Sequence, residues 1–121
     1  MPKYCRAQAI SRESVLSGTV ADYVITSLKQ RGTRRMFGVP GGGSSLDLIE
    51  AGAREGVDFV LAQTETGAAL MAAVTAELSG APGVVLTGVG PGAASAVNGI
   101  AYASLEKSPV VLLTDRQGAG S

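Results

Sequence analysis

Short apolar runs alternate with longer segments of helical pattern along most of the chain, and this alternation constrains the fold more than any other feature. The runs predict four strands, at 35–39, 58–62, 84–87 and 110–114, and the segments between them predict helices near 46–54, 67–79 and 92–105. Strand, helix and strand at this spacing require parallel pairing with right-handed crossovers. The predicted fold class is therefore α/β, an open parallel sheet with helices on both faces.

A further helix is predicted before the first strand. Thr19 and Asp22 have the spacing of a reciprocal capping pair, and the helix is expected to run to about Gln30 and to end at Gly32. Its apolar side chains fall on one face, as expected for a helix that packs against a sheet.

The length of 121 residues fits one compact domain. We divide the chain into a polar leader at 1–17, the domain at 18–117 and a tail at 118–121. Through Arg35 it carries seven Lys/Arg and two Asp/Glu, against three and eight in the remainder. The basic part has no dense run of charge and no interleaved aromatic side chains. We therefore interpret it as a solvated leader and expect no nucleic-acid partner.

The sequence contains no His and a single Cys, Cys5. These counts exclude an internal disulfide, a His/Cys metal cluster and hydrolysis by a Ser/His or Cys/His pair within the chain, and no metal ligand is predicted. No apolar run approaches the ~18 residues of a membrane-spanning helix. The first residues also lack the apolar block of a secretory signal, so a cytoplasmic protein without a membrane partner is expected.

Loops of unusual composition follow all four predicted strands. The first strand leads into Pro40 and the glycines at 41–43, the second into 63–65, the third into 88–92, and the fourth into Asp115. In open α/β sheets, ligands bind at the carboxyl ends of the strands. The glycine-rich loops and the charged side chains are therefore expected to meet at one edge of the sheet.

Glu65 is the acid of most interest, because it stands between a strand end and a helix start. A carboxylate there can simply complement the helix dipole, which is worth about 0.3–1 kcal/mol when exposed. The alternative is a functional acid, favoured by its small and polar neighbours and by the expected proximity of Pro40 and Pro91. Surroundings with few charges suit proton exchange with a ligand.

A nucleotide-binding interpretation competes with this one. Residues 88–93 match the dinucleotide pattern G-x-G-x-x-G/A between a strand and a helix, and Asp115 ends the next strand. Against it, that fingerprint normally follows the first strand of its unit, and Pro91 removes an N–H from the loop. The loop after the first strand lacks the Gly-Lys-Ser/Thr ending of a phosphate loop, so Ser44 and Ser45 are expected to cap the next helix.

Taken in order, four segments resemble the amino-terminal, pyrimidine-binding domain of thiamine diphosphate enzymes, the family of acetolactate synthase, benzoylformate decarboxylase and benzaldehyde lyase. The segments, each with the family motif that it resembles, are 36–42 ("FGVPGG"), 64–69 ("HE-x-GAA"), 90–93 ("GPGA") and 108–114 ("PLVVIT"). The resemblance runs from about Val20 to Arg116. It implies a flavodoxin-like thiamine diphosphate-binding fold that is incomplete in this chain.

The resemblance implies a role for Glu65. In the family, the corresponding glutamate hydrogen-bonds the N1′ atom of the cofactor's aminopyrimidine ring and promotes the tautomer that activates the thiazolium carbon. Glu65 would then be the catalytic residue, and Val39, Pro40, Gly41 and Pro91 would line the pyrimidine pocket with it. The activated cofactor serves as an electron sink for decarboxylation or carbon–carbon ligation of 2-oxo acids and aldehydes.

Departures from the family pattern bear on this interpretation. Thr64 replaces the histidine before the glutamate, and Ser95 stands where the family often has Asn. The sequence also lacks the Gly-Asp-Gly motif with which the family's diphosphate domain holds Mg²⁺ and diphosphate. We therefore expect a truncated protein, a natural fragment or one subunit of a split enzyme, inactive without a diphosphate-domain partner and assembled as a homo-oligomer.

Two other classes of function remain open. One is a nucleotide-binding or regulatory module that uses the glycine-rich loop at 88–93. The other is a non-catalytic structural domain, which the replacements at Thr64 and Ser95 favour.

Overall fold

Helices and strands alternate strictly along residues 18–120, the part of the chain that this computed structural model describes. In chain order the elements are α1 (Val20–Gln30), β1 (Arg35–Val39), α2 (Ser44–Glu55), β2 (Asp58–Leu61), α3 (Glu65–Ser79), β3 (Gly83–Thr87), α4 (Pro91–Leu105) and β4 (Val110–Thr114). The predicted leader at 1–17 lies outside the described residues. Strands and helices agree with the predicted ones to within two residues at each end.

The four strands form one parallel sheet in the order β2-β1-β3-β4. From β1 the chain moves toward one edge to reach β2, and it then moves in the opposite direction to reach β3 and β4. Right-handed connections place helices on opposite faces when the direction reverses. This order is the flavodoxin-like one, with its topological switch point between β1 and β3, and it confirms the predicted open α/β fold.

Alternate side chains of the central strands build two separate cores. Met36 points to the face covered by α1 and α2, and Phe37 points to the face covered by α3 and α4. In β3, Val84 and Leu86 belong to the first core, and Val85 belongs to the second. All five residues of β3 are buried, whereas β4 at the edge is only partly buried within the described chain. The almost wholly apolar sequence of 110–114 predicts a strand buried on both faces, and this prediction is wrong for the described residues.

α3 and α4 approach each other closely because small residues line their contact. A Cβ atom on Gly99 would overlap the Cβ of Ala69, and it would lie 3.0 Å from the carbonyl oxygen of Thr66. α3 is equally close to the sheet, since a Cβ on Gly83 would overlap the carbonyl oxygen of Ala72. The alanines of α3 therefore serve to pack this helix against its own sheet and against α4.

On the other face, α1 and α2 are joined by polar contacts. The predicted capping box is confirmed: the Thr19 hydroxyl accepts a hydrogen bond from the Asp22 N–H, and the Asp22 carboxylate accepts one from the Thr19 N–H. Arg54 of α2 donates a 2.6 Å hydrogen bond to that same carboxylate and, with the cap, lowers the pKa of Asp22 to about 2 from its ordinary value of 3.8. These contacts therefore stabilise the fold above about pH 4, and their contribution is lost as the pH falls toward 2.

The start of α2 differs from the prediction. The helix begins at Ser44, its N-cap is Gly43 at φ 55°, and no side chain caps it locally. Ser44 and Ser45 are the first two residues inside the helix, so the expectation that they cap it is wrong.

Among residues 18–120, no helix is both long enough and apolar enough to cross a membrane.

The close approach of α3 and α4 yields a prediction for Gly99→Ala. Alanine would gain about 1 kcal/mol from helix propensity, but the overlap with Ala69 must force the helices apart, and we expect a net loss of about 1–3 kcal/mol in the free energy of unfolding. Urea denaturation measures it. The matched control is Gly118→Ala, where an added Cβ meets no described atom within 4 Å. A Gly99→Ala variant as stable as the control would contradict the packing.

Candidate functional site

The loops that follow β1 and β3 touch at the switch point of the sheet. Val39 is paired with Thr87 at the ends of the two strands. Just beyond them, a Cβ on Gly41 would lie 2.8 Å from the Cα of Gly88, so only glycine allows the two backbones to come this close. The structure thus brings the Val39, Pro40 and Gly41 segment against the loop that leads into α4.

Glu65 lies at the same edge, as the first residue of α3. Its position is fixed by Thr64, the N-cap residue, whose hydroxyl accepts a 3.0 Å hydrogen bond from the Gly67 N–H. The carboxylate is half-buried and points to the start of α4, since a Cβ on Gly92 would lie 3.3 Å from Oε1 of Glu65. Pro91, the exposed first residue of α4, adjoins Gly92.

The first turns of α3 and α4 are tied together by a side chain. The hydroxyl of Thr66 donates a 2.6 Å hydrogen bond to the carbonyl oxygen of Ser95. Since the two helices also pack closely along their length, this bond fixes Glu65 relative to the loop before α4. Ser95 therefore contributes its backbone carbonyl oxygen to this contact, and the contact does not depend on its side chain.

A buried hydroxyl lies beneath this arrangement. Thr87 ends β3 with no exposed surface, and its Oγ1 has no hydrogen-bond partner among the described residues. A Cβ on Gly92 would lie 3.8 Å from the Thr87 Cβ, which places this side chain next to the space beside Glu65. Because the hydroxyl has no exposed surface, it lies below the edge of the sheet and does not face a ligand there.

Sequence reasoning did not identify the contacts made by the end of β4. Thr114 donates a 3.1 Å hydrogen bond to the carbonyl oxygen of Gly88. The carboxylate of Asp115 accepts hydrogen bonds from the hydroxyls of Ser44 and, at 3.2 Å, Ser45. Asp115 and the two serines are about 70 residues apart in sequence, and no local pattern indicates such a pairing.

The site at Glu65 is separate from a cavity on the opposite face of the sheet. That cavity has a volume of about 630 Å³ and lies between α1, α2 and the end of β4, with Asp115 in its wall and Glu65 outside it. Within residues 18–120, no three His, Cys, Asp or Glu side chains group closely enough to hold a metal ion. The Glu65 site is therefore a shallow edge formed by two loops and two helix starts.

Comparison with known sequences decides the family. A family model described as "Thiamine pyrophosphate enzyme, N-terminal TPP binding domain" matches residues 18–121, which is nearly the whole chain. The chain belongs to this family. Thiamine pyrophosphate is another name for thiamine diphosphate, so the resemblance found in the four sequence segments is confirmed.

Acetolactate synthases are among the relatives of this thiamine diphosphate-binding domain. The chain is 42% identical over 101 residues to the acetolactate synthase isozyme 3 large subunit of Escherichia coli, covering 83% of the chain and 17% of that protein. It is 40% identical over 110 residues to the acetolactate synthase large subunit of Lactococcus lactis, covering 90% of the chain and 19% of that protein. It is 35% identical over 103 residues to the acetolactate synthase of Bacillus subtilis, covering 84% of the chain and 18% of that protein. The chain thus spans less than a fifth of the length of these curated relatives.

The cap at Thr64 can be tested in this domain alone. Thr64→Ala removes the acceptor for the Gly67 N–H, and we expect it to lower the free energy of unfolding by about 0.5–2 kcal/mol. Thr64→Ser retains the hydroxyl and should stay close to the parent in the same urea titration. Equal losses in both variants would show that the methyl group, not the cap, matters.

Proposed function

We propose that this chain is the pyrimidine-binding module of a thiamine diphosphate-dependent lyase or carboligase that acts on 2-oxo acids or aldehydes. Glu65 is its catalytic residue, and Val39, Pro40, Gly41 and Pro91 contribute the pocket wall. The observation that supports this most strongly is the position of the Glu65 carboxylate, beside Gly92 at the place where two loops and two helix starts meet.

The residues at this edge fit an aminopyrimidine ring. Gly41, Gly88 and Gly92 carry no side chains, so a flat ring can approach the backbone closely. Glu65 offers a carboxylate to a ring nitrogen. A flat group with few polar atoms suits a site that is mostly apolar with a small number of convergent polar groups.

The role of Glu65 in this proposal is to hold and exchange one proton at its carboxylate. When bound, thiamine diphosphate supplies the electron sink for breaking or forming a bond next to a carbonyl carbon. Glu65 hydrogen-bonds the ring nitrogen and shares a proton with it, while the Thr64 cap and the Thr66 hydrogen bond keep its backbone in place. Proton sharing by a positioned acid contributes typically about 10²–10⁴-fold to a rate.

Thr64 is already engaged in this structure. Its hydroxyl caps α3, so it is turned toward the helix backbone and away from the space beyond Glu65. In this proposal, Thr64 therefore makes no substrate contact, and substrate selection depends on residues outside 18–120.

A diphosphate-domain partner is the second part of the proposal. Apolar side chains stand exposed on the outer face of α3 and α4, among them Leu78 (85%), Val97 (62%) and Leu105 (82%). Helices that are apolar all round are normally buried in protein. Both helices begin at the proposed site, so a domain packed on this face would also cover Glu65. The partner would hold Mg²⁺ and the diphosphate, and it would be a diphosphate domain on another chain or in another part of a longer protein.

The test of the catalytic proposal compares Glu65→Gln with the parent in the presence of Mg²⁺, thiamine diphosphate and the diphosphate domain of an acetolactate synthase relative. We expect cofactor affinity to fall about tenfold, because a charged acceptor is lost, and turnover of a 2-oxo acid to fall at least about 10². Calorimetry and product formation measure the two quantities. Glu55→Gln, at the distant end of α2, is the matched control, since its only described ion pair is an exposed one with Lys29.

Two outcomes would contradict the catalytic proposal. NAD binding that is lost in Gly90→Val but unchanged in Glu65→Gln would favour the nucleotide-binding alternative. Absence of any cofactor binding by the parent in the assembled protein would favour a structural domain.

The proposed interface is tested by Val97→Asp. A carboxylate in the middle of the apolar face should weaken association with the diphosphate domain at least about tenfold, because a buried unpaired charge is costly, while the chain itself stays folded. Analytical ultracentrifugation and circular dichroism check both points. Val20→Asp, at an exposed valine on α1, should leave association unchanged. Equal weakening by the two variants would place the interface elsewhere.

A further inference from the structure

Thr114, the last residue of β4, and Asp115, the residue after it, contact the segments on either side of the proposed site. Thr114 holds the loop after β3 through its hydrogen bond to the Gly88 carbonyl. Asp115, the next residue, holds the start of α2 through the hydroxyls of Ser44 and Ser45. Two consecutive residues on one strand end thus reach the loop segments on either side of the switch point.

The loop after β1 has little else to hold it. Gly42 and Gly43 both adopt positive φ angles, 123° and 55°, which allow many backbone conformations in the absence of restraint. Gly43 is the N-cap of α2 and provides no side-chain hydrogen bond. The remaining local ties are weak turns: the Ser45 N–H donates to the Gly42 carbonyl at 3.2 Å, and the Leu46 N–H donates to the Gly43 carbonyl at 3.1 Å.

Asp115 brings a carboxylate to the start of this helix, whose N-cap residue Gly43 has no side chain. The first turn of a helix has free N–H groups and a partial positive charge, and both favour a nearby anion. Ser45 is buried, so its hydrogen bond to Asp115 is shielded from water on one side and fixes the turn more firmly than an exposed bond would. The restraint passes along the chain to the glycines at 41–43, which immediately precede the two serines.

We propose that Asp115 is a positioning residue, whose carboxylate fixes Ser44 and Ser45 and thereby holds the Pro40–Gly41 segment against Gly88. Without this restraint, the loop would move away from Gly88 and the wall beside the pyrimidine would open. The consequence for the cofactor rests on the proposed function, but the consequence for the loop does not.

Amide hydrogen exchange on the full chain tests the loop directly. In Asp115→Ala, we expect exchange at the Ser45 and Leu46 amides to accelerate by about tenfold or more, while amides in the middle of α2 and in α1 keep their rates. Ser44→Ala combined with Ser45→Ala should reproduce this pattern, and adding Asp115→Ala to that pair should change little further, because all three variants remove the same hydrogen bonds.

The control and the conservative variant separate positioning from general stability. Asp47→Asn alters another acid in the first turn of α2 and should leave the Ser45 and Leu46 amides unchanged. Asp115→Asn retains one oxygen acceptor and should show a smaller acceleration than Asp115→Ala. Unchanged exchange in Asp115→Ala, or acceleration in equal proportion at every amide of the domain, would overturn the proposal.

The cofactor measurement is made on the chain assembled with a diphosphate domain, with thiamine diphosphate and Mg²⁺ as the probe. Asp115→Ala should weaken affinity about tenfold although Glu65 is intact. A parent that binds the cofactor and an Asp115→Ala variant that binds it equally well would overturn the positioning of the wall. If the parent itself binds no thiamine diphosphate, the proposed function fails, and the exchange pattern alone supports or overturns the role of Asp115.

Discussion

The close approach of α3 to α4 is the interaction on which the arrangement of the site depends. It exists because a glycine at position 99 meets alanine and backbone atoms of α3, where any larger side chain would separate the helices. With the two helices in this register, the first residue of one comes beside the second residue of the other. Glu65 and Gly92 are thus brought together by helix packing that takes place further along α3 and α4.

The inner and outer surfaces of these two helices differ in the size of their apolar side chains. Alanines and glycines fill the inner side, so the larger apolar side chains of α3 and α4 lie on the outer side. α1 and α2 instead carry charged side chains among their exposed residues, and the ion pair of Arg54 with Asp22 joins the two helices. The domain therefore has one solvated face and one face whose composition resembles that of an interior.

Much of the fold could be predicted from the sequence, because strand and helix patterns are local. The same is true of the Thr19–Asp22 cap, whose two halves are three residues apart. The serines at the start of α2 show the limit of such reasoning: they have the composition of a helix cap, yet their partner is an aspartate that follows a strand distant in sequence. The position of Glu65 at the carboxyl edge of the sheet could be predicted from the parallel arrangement of the strands, but its contact with Gly92 depends on how α3 crosses the sheet, which no local pattern contains.

The meeting of Gly41 and Gly88 has a consequence for any attempt to redesign this pocket. Each glycine already occupies the space that a side chain on the other would need, so a single methyl group at either position has to be accommodated by moving a strand end. The contact between these two glycines therefore leaves no space for a side chain at the base of the proposed site. Changes of pocket shape have to come from its rim, from Val39, from Val89 or from a covering domain, where side chains can be exchanged without moving the sheet.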